Sequence, residues 1–248
     1  MRLIALALAA CLCPGLVAAE PDLRFTIGAG VSTAPAYYGS DDYEVGPAGS
    51  FSLGYARVGG LTFGSLEDGE ARGFSVGGAF RYLPERRAAD HPELSGLNDV
   101  DASYELGLGA GWTEETWRLF GNLRYGLGGH ESLVATVGSD AILRPSDRLT
   151  LRAGPRIDIG SSGFNQTYFG VSDAEAGASS FDAFDAGGGI YSVGLDLEAD
   201  YAVTPAWSVA AGVGYDRFVG DAADSPILQD DDRWTASVTL RRTITLDF

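Results

Sequence analysis

Apolar and polar residues alternate with a period of two along most of this chain, and helical spacing is nearly absent. In the segment from Val100 to Trp112, Val100, Ala102, Tyr104, Leu106, Leu108, Ala110 and Trp112 fall on one face. Asp101, Ser103, Glu105, Gly107, Gly109 and Gly111 fall on the other. The same division runs through 149–159, 191–203, 207–219 and 234–248, and more weakly through 23–32, 43–56, 58–66, 73–82, 116–126 and 131–143. These are eleven candidate strands, and the chain is expected to be all-β.

Alternation alone fits a soluble sandwich as well as a membrane barrel. Three features favour the barrel. The better runs span 11 to 15 residues, against about 5–6 for ordinary strands and about 9–11 for a tilted strand crossing a bilayer. Aromatics sit at the ends of the apolar faces: Tyr104 and Trp112, Tyr191 and Tyr201, Trp207 and Tyr215, Trp234 and Phe248. Amphipathic rings favour the headgroup level. The polar faces mix charge with glycine, which leaves room for charged groups in a narrow lumen. The expected fold is therefore a transmembrane antiparallel β-barrel of about 10–12 strands.

Short connections at Thr113–Glu115, Arg144–Asp147 and Thr204-Pro205 alternate with long ones at 83–99, 161–187 and 219–232. Short periplasmic turns and long external loops are how such barrels are built. Closure with both ends in the periplasm requires an even number of strands. Either 23–32 lies outside a ten-strand barrel or a strand is missed and there are twelve; twelve is preferred. Arg242 interrupts the apolar face of the last strand, where strict alternation points it at lipid near mid-depth at a cost of about 2–4 kcal/mol. Snorkelling or a bulge at Arg241-Arg242 would relieve that cost.

The first nineteen residues read as a cleaved export signal: Arg2, an apolar stretch from Leu3 to about Leu12, then Val17-Ala18-Ala19 before Glu20. Residues 20–248 form the barrel domain on this reading. Leu8-Ala9-Ala10-Cys11 resembles a lipoprotein box, but it would leave too short an apolar core. Cys11 and Cys13 both lie in the leader, so the mature chain would have no thiol and no disulfide. The formal charge of −17 becomes −18 without Arg2, and every cationic residue is arginine. That balance excludes a nucleic-acid partner, which needs a basic footprint.

Candidate chemistry is sparse. Gly73-Phe74-Ser75-Val76-Gly77 matches a hydrolase elbow but sits inside a strand, where the motif needs a strand–turn–helix context. His91 and His130 are far apart and in loops, so no metal site and no cofactor are expected. Acidic clusters at 41–44, 173–175, 221–224 and 230–232 lack calcium-loop spacing and read as solvated, or else as bridged by divalent cations at the outer leaflet. The inward faces are more informative. Asp101 and Glu105 lie on the strand beside that of Arg118 and Arg124, while Arg152, Arg156 and Asp158 lie beside Asp196, Glu198 and Asp200, with Asp216 beyond. Opposite charges facing each other would form a paired network that fills the lumen. The alternative is a narrow polar pore whose selectivity those groups tune.

Tyr37-Tyr38-Gly39-Ser40-Asp41-Asp42-Tyr43, 96–101 (GLNDVD), 126–131 (GLGGHE), 153–156 (AGPR), 165–172 (NQTYFGVS) and 220–227 (GDAADSPI) resemble the MipA/OmpV family of outer-membrane proteins. The blocks occur in the family's order over nearly all of residues 20–248. The resemblance implies a protein of the Gram-negative outer membrane, in contact with its lipid and lipopolysaccharide and without enzymatic activity. It further implies a scaffold that brings together a lytic transglycosylase and a peptidoglycan synthase. A narrow porin-like channel for small polar solutes is the alternative. The resemblance supplies no catalytic or partner-binding residues, and 44–49 departs from it by having fewer prolines and bulky groups.

Overall fold

The computed structural model describes residues 23–58, 61–64 and 72–246; the segment read as a leader and Phe248 lie outside these. Eleven strands form one antiparallel sheet: β1 (Leu23–Pro35), β2 (Tyr43–Val58), β3 (Leu61–Gly64), β4 (Gly73–Leu83), β5 (Ser103–Thr113), β6 (Trp117–Leu127), β7 (Leu133–Ser146), β8 (Leu149–Gly160), β9 (Gly189–Thr204), β10 (Trp207–Phe218) and β11 (Asp232–Leu246). The order is β3-β2-β1-β11-β10-β9-β8-β7-β6-β5-β4, so the first long strand pairs with the last and the sheet curls into a barrel. Ten strands are of membrane-crossing length; β3 has four residues and pairs only the end of β2, Tyr55 to Val58. Among the described residues no ladder joins β4 to β2 or β3, and the barrel is nearly closed.

The strand count is thus ten rather than the preferred twelve, and not for the reason considered. The segment 23–32 belongs to the barrel, as β1 between β2 and β11. The surplus candidate is 58–66, of which 59–60 and 65–66 lie outside the described residues; the described part pairs only the end of β2.

Burial shows which solvent each face meets. Outward side chains remain bare, with Phe74 68%, Leu108 67% and Leu195 60% exposed. The inward positions carry glycine, serine, threonine and charge. A sandwich would bury those outward residues against a second sheet; here they form a continuous apolar girdle. Among the described residues no helix is long and apolar enough to cross a membrane, so the strands do the crossing. Tyr82, Tyr104, Tyr215 and Trp234 ring one end, with the Tyr215 and Trp234 rings tilted against each other at 4.8 Å. Trp112, Trp117, Tyr201 and Trp207 ring the other.

Two expectations about this girdle need correcting. Tyr191 does not belong to it: the register shifts between Asp158–Ser192 and Ile159–Ile190, which turns Tyr191 inward and buries it completely. Arg242 sits in a continuous register on both sides of β11, so no bulge turns it inward. It pairs with Trp207 at the start of β10, and its guanidinium lies 5.3 Å over the indole ring. That level is the interface, not mid-depth, and a cation stacked on an aromatic ring is stabilised there.

Turns at 114–116, 147–148 and 205–206 mark the periplasmic end. The loops at the external end do more than meet water. They carry α1 (Ser162–Phe169) and α2 (Asp173–Ala176), and their apolar side chains form a buried cap over the mouth. Phe164, Tyr168 and Phe169 of α1 pack with Tyr38, Tyr191 and Phe218. A second cluster joins Tyr37, Leu94, Leu97, Val171 and Ile227. Ser172 and Glu175 form a reciprocal capping box on α2, and Glu175 also accepts from the Asn98 N–H at 2.9 Å. Burial alone would raise this carboxyl, but the Ser172 hydroxyl and the Asn98 and Ser172 N–H groups outweigh it and hold it below the ordinary carboxylate range. A depressed carboxyl stabilises the fold above its unfolded value and loses that contribution as pH falls through the folded one. The link between α2 and the 96–99 segment is therefore complete at neutral pH and weakens in acid.

Three variants test this arrangement, read by urea unfolding in lipid vesicles. Val238 lies midway between Trp234 and Arg242, and Val238→Arg should cost about 2–4 kcal/mol, whereas Arg242→Leu should cost under about 1 kcal/mol. Phe164→Ala, which empties the centre of the cap, should cost about 3–5 kcal/mol.

Candidate functional site in the polar lumen

Inward positions of neighbouring strands stand opposite one another, so the register decides which charges meet. Three layers result. Nearest the cap, fully buried Glu105 on β5 accepts from Arg81 on β4 (2.8 and 2.7 Å) and from Arg124 on β6 (2.8 Å). It also meets His130 Nε2 at 3.2 Å. The Ser132 N–H donates to His130 Nδ1 at 3.2 Å, which leaves Nε2 as the protonated nitrogen, donating to Glu105. His130 reaches this place because the loop after β6 turns through Gly128 and Gly129, both at positive φ, and because a Cβ on Gly126 would strike the imidazole. Its ring packs edge-on against Phe164 at 5.0 Å, tying the barrel wall to the cap. Arg81 continues to the Tyr191 hydroxyl at 3.2 Å. Arg124 also donates to Thr136, which donates to Asp158; Ser192 donates to the same carboxylate. On the far wall Arg233 donates twice to Asp216 and lies 5.3 Å over the Tyr38 ring.

The middle layer centres on Asp140, met by Arg118 at 2.5 Å and Arg156 at 2.8 Å. Arg156 also binds Asp196 at 2.8 Å. Both guanidiniums lie 4.9 Å from the centroid of Phe120, an aromatic ring inside the lumen. Gly138 makes this possible, since a Cβ there would meet Phe120 at 2.6 Å and Arg156 at 2.9 Å. The third layer faces the periplasm: Glu198 accepts from Arg152 (3.1 Å) and Arg241 (2.7 Å), and Arg241 also reaches Asp200 at 3.2 Å. Between the walls lies a chamber of about 460 Å³ that extends from Arg118, Phe120 and Arg156 to Ser32, Gly212 and Ser237.

Ten of the eleven residues expected in the lumen are there. Asp101 is not. A bridge between Arg86 and Val100 holds that stretch off the ladder, β5 begins only at Ser103, and Asp101 is exposed in the external loop. Alternation had simply run past the end of the strand. Arg118 finds Asp140 rather than Glu105 as its partner. Arg81, Phe120 and Asp140 occupy inward positions of the weaker runs and Arg241 one of the last strand, so carrying the parity through finds them; Arg233 lies one residue before the 234–248 run and continues its parity. His130 carried no such signal, because its placement depends on the loop and on Gly126.

Among the described residues the one group of three metal-ligating side chains close together is Asp230, Asp231 and Asp232. Arg217 already bonds Asp231 at 2.7 Å, and Asp232 accepts from Tyr215 at 2.7 Å. Ser75, in the elbow-like motif, stands within β4 beside no helix.

The matching family description is MltA-interacting protein MipA, and it covers residues 27–244. The chain belongs to the MipA family. Over 84 residues it is 33% identical to outer membrane protein Omp26La of Vibrio anguillarum and 34% identical to outer membrane protein OmpV of Vibrio cholerae serotype O1. Each match takes in 34% of this chain and 32% of the relative, so it spans about a third of the length of these relatives. Among solved structures, an outer membrane channel from Pseudomonas putida F1 aligns with a TM-score of 0.44 at 12% identity, over 94% of this chain and 100% of the channel. Neisserial surface protein A aligns at 0.30 and 11%, over 88% and 96%. Superpositions this loose say nothing about the lumen. Family and barrel together make this MipA-family chain an outer-membrane protein.

The upper layer has a measurable weight. Glu105→Gln leaves the buried Arg124 and the partly buried Arg81 guanidiniums without their carboxylate and should destabilise the barrel by about 3–5 kcal/mol. Asp101→Asn, at an exposed loop position, should change stability by less than about 0.5 kcal/mol. Thermal unfolding of the two variants in detergent, compared with the parent, reads both.

Proposed function

We propose that this MipA-family protein is a non-enzymatic, ion-tight outer-membrane barrel that tethers peptidoglycan-remodelling enzymes, a lytic transglycosylase and with it a synthase, at the inner face of the membrane. On this reading residues 1–19 are the export signal that delivers it there. The observation that carries the proposal is the closure of the lumen from above. A buried aromatic cap covers the external mouth, and directly beneath it Glu105 is held by Arg81, Arg124 and His130. A protein built to pass solute has no use for such a seal, whereas a fixed scaffold gains rigidity from it. The family's description, which names interaction with MltA, supports the enzyme tether.

The periplasmic rim offers a modest surface. Arg144 donates to the Glu115 carbonyl at 2.6 Å, joining two neighbouring turns, and Trp112 donates to Glu114 at 2.7 Å. A stable interface usually buries about 1,200–2,000 Å² in total, so the strand rims must contribute as well. The chamber between the walls is the one observation that favours a narrow channel for small polar solutes.

Two experiments separate these readings. In planar bilayers the purified protein should show no steady current; reproducible ion-selective steps would contradict the sealed barrel and favour the channel. A lytic transglycosylase should co-purify with the parent protein and lose about tenfold in affinity when the 114–116 and 144–147 turns are replaced together. Retention of full affinity would remove the rim from the docking surface.

A further inference from the structure

The chamber at mid-depth has a chemistry that neither the seal nor the tether requires. Its two sides differ. One wall, from β6 to β9, carries Arg118, Arg152, Arg156, Asp196 and Glu198 around the Phe120 ring. The other, from β10, β11 and β1, carries Gly212, Gly214, Ser237 and Ser32, which are small and uncharged. The space between them, about 460 Å³, lies within the range of about 300–1,000 Å³ that small-molecule sites occupy. Groups of both signs line it, the guanidiniums of Arg118, Arg152 and Arg156 and the carboxylates of Asp196 and Glu198, while Asp140, Asp200 and Arg241 pair with these or with one another. A simple anion or cation meets repulsion as well as attraction there, since both signs line the chamber. A solute that is itself neutral but carries separated charges can answer both at once, its carboxylate towards the guanidiniums and its ammonium towards Asp196 and Glu198. Its uncharged body then lies along the glycine and serine wall.

We propose that this chamber binds a short zwitterionic peptide, with free amino and carboxyl ends, entering from the periplasmic side. The external cap closes the other approach. Both charged ends of such a peptide meet counter-charges in the lining, which an apolar or singly charged ligand cannot achieve. The proposal goes beyond the tethering role and shares with it only the closed external end.

Isothermal titration of trialanine into the full-length protein in detergent micelles tests it, with N-acetylated, C-amidated trialanine as the uncharged control of similar shape. Trialanine should give saturable heat and bind at least about tenfold more tightly than the blocked peptide. Ser237→Leu fills the chamber from its uncharged wall without disturbing an ion pair, and it should abolish the heat while leaving thermal unfolding close to that of the parent. Arg156→Gln should weaken binding about tenfold as well. No saturable heat at millimolar peptide would overturn the proposal. So would equal binding of the blocked peptide, or undiminished binding by the Ser237→Leu variant. None of these outcomes bears on conductance or on enzyme co-purification, so this inference and the tethering role fail separately.

Discussion

Within hydrocarbon a backbone N–H or C=O has no water to turn to, so strands that cross a membrane must pair with one another along their whole length. That demand shapes the rest of this molecule. It sets strands of 11 to 16 residues in a single sheet, and it brings β1 back to β11 so that the sheet curls on itself. Once the backbone is committed, the two-residue period leaves each side chain one choice, lipid or lumen. Leucine, valine and the aromatics take the first. Glycine, hydroxyls and charge take the second, and the charges are then forced into one another's company.

The lumen can hold so many ionised groups because neighbours in the register satisfy them. Glu105 is fully buried yet receives hydrogen bonds from two arginines and a histidine, and Asp140 lies between Arg118 and Arg156. Stripping one partner from such a set costs far more than an exposed ion pair is worth. The acidic loops outside follow a different logic. Their carboxylates stay at the surface while Phe164, Phe169 and Ile227 beneath them belong to the buried hydrophobic clusters. A barrel whose outer face belongs to lipid must find its protein core elsewhere, and here it lies over the mouth.

Much of this was legible from alternation. The strands, the short and long connections and the outward apolar faces follow from parity, as do the inward positions of residues such as Glu105, Arg156 and Glu198. What parity missed has physical causes. Strand ends are set by bridges and bulges, which moved Asp101 into a loop and Tyr191 into the core. The cap depends on contacts between segments far apart in sequence, such as Tyr38 with Phe164 and Phe218, and His130 reaches Glu105 only through a glycine turn. Arg242 was read at the wrong depth, because its neighbour Trp207 becomes visible only once β10 and β11 are aligned.

All four tryptophans, Trp112, Trp117, Trp207 and Trp234, point outward at the two rims, and this makes the unmodified protein its own probe. In vesicles of lipid brominated high on the acyl chain, intrinsic fluorescence should be strongly quenched, more than by bromines near the chain end, while aqueous iodide should have little effect. Emission untouched by either brominated lipid but quenched by iodide would mean that water, not lipid, covers the greasy faces, and the barrel would not be a membrane protein.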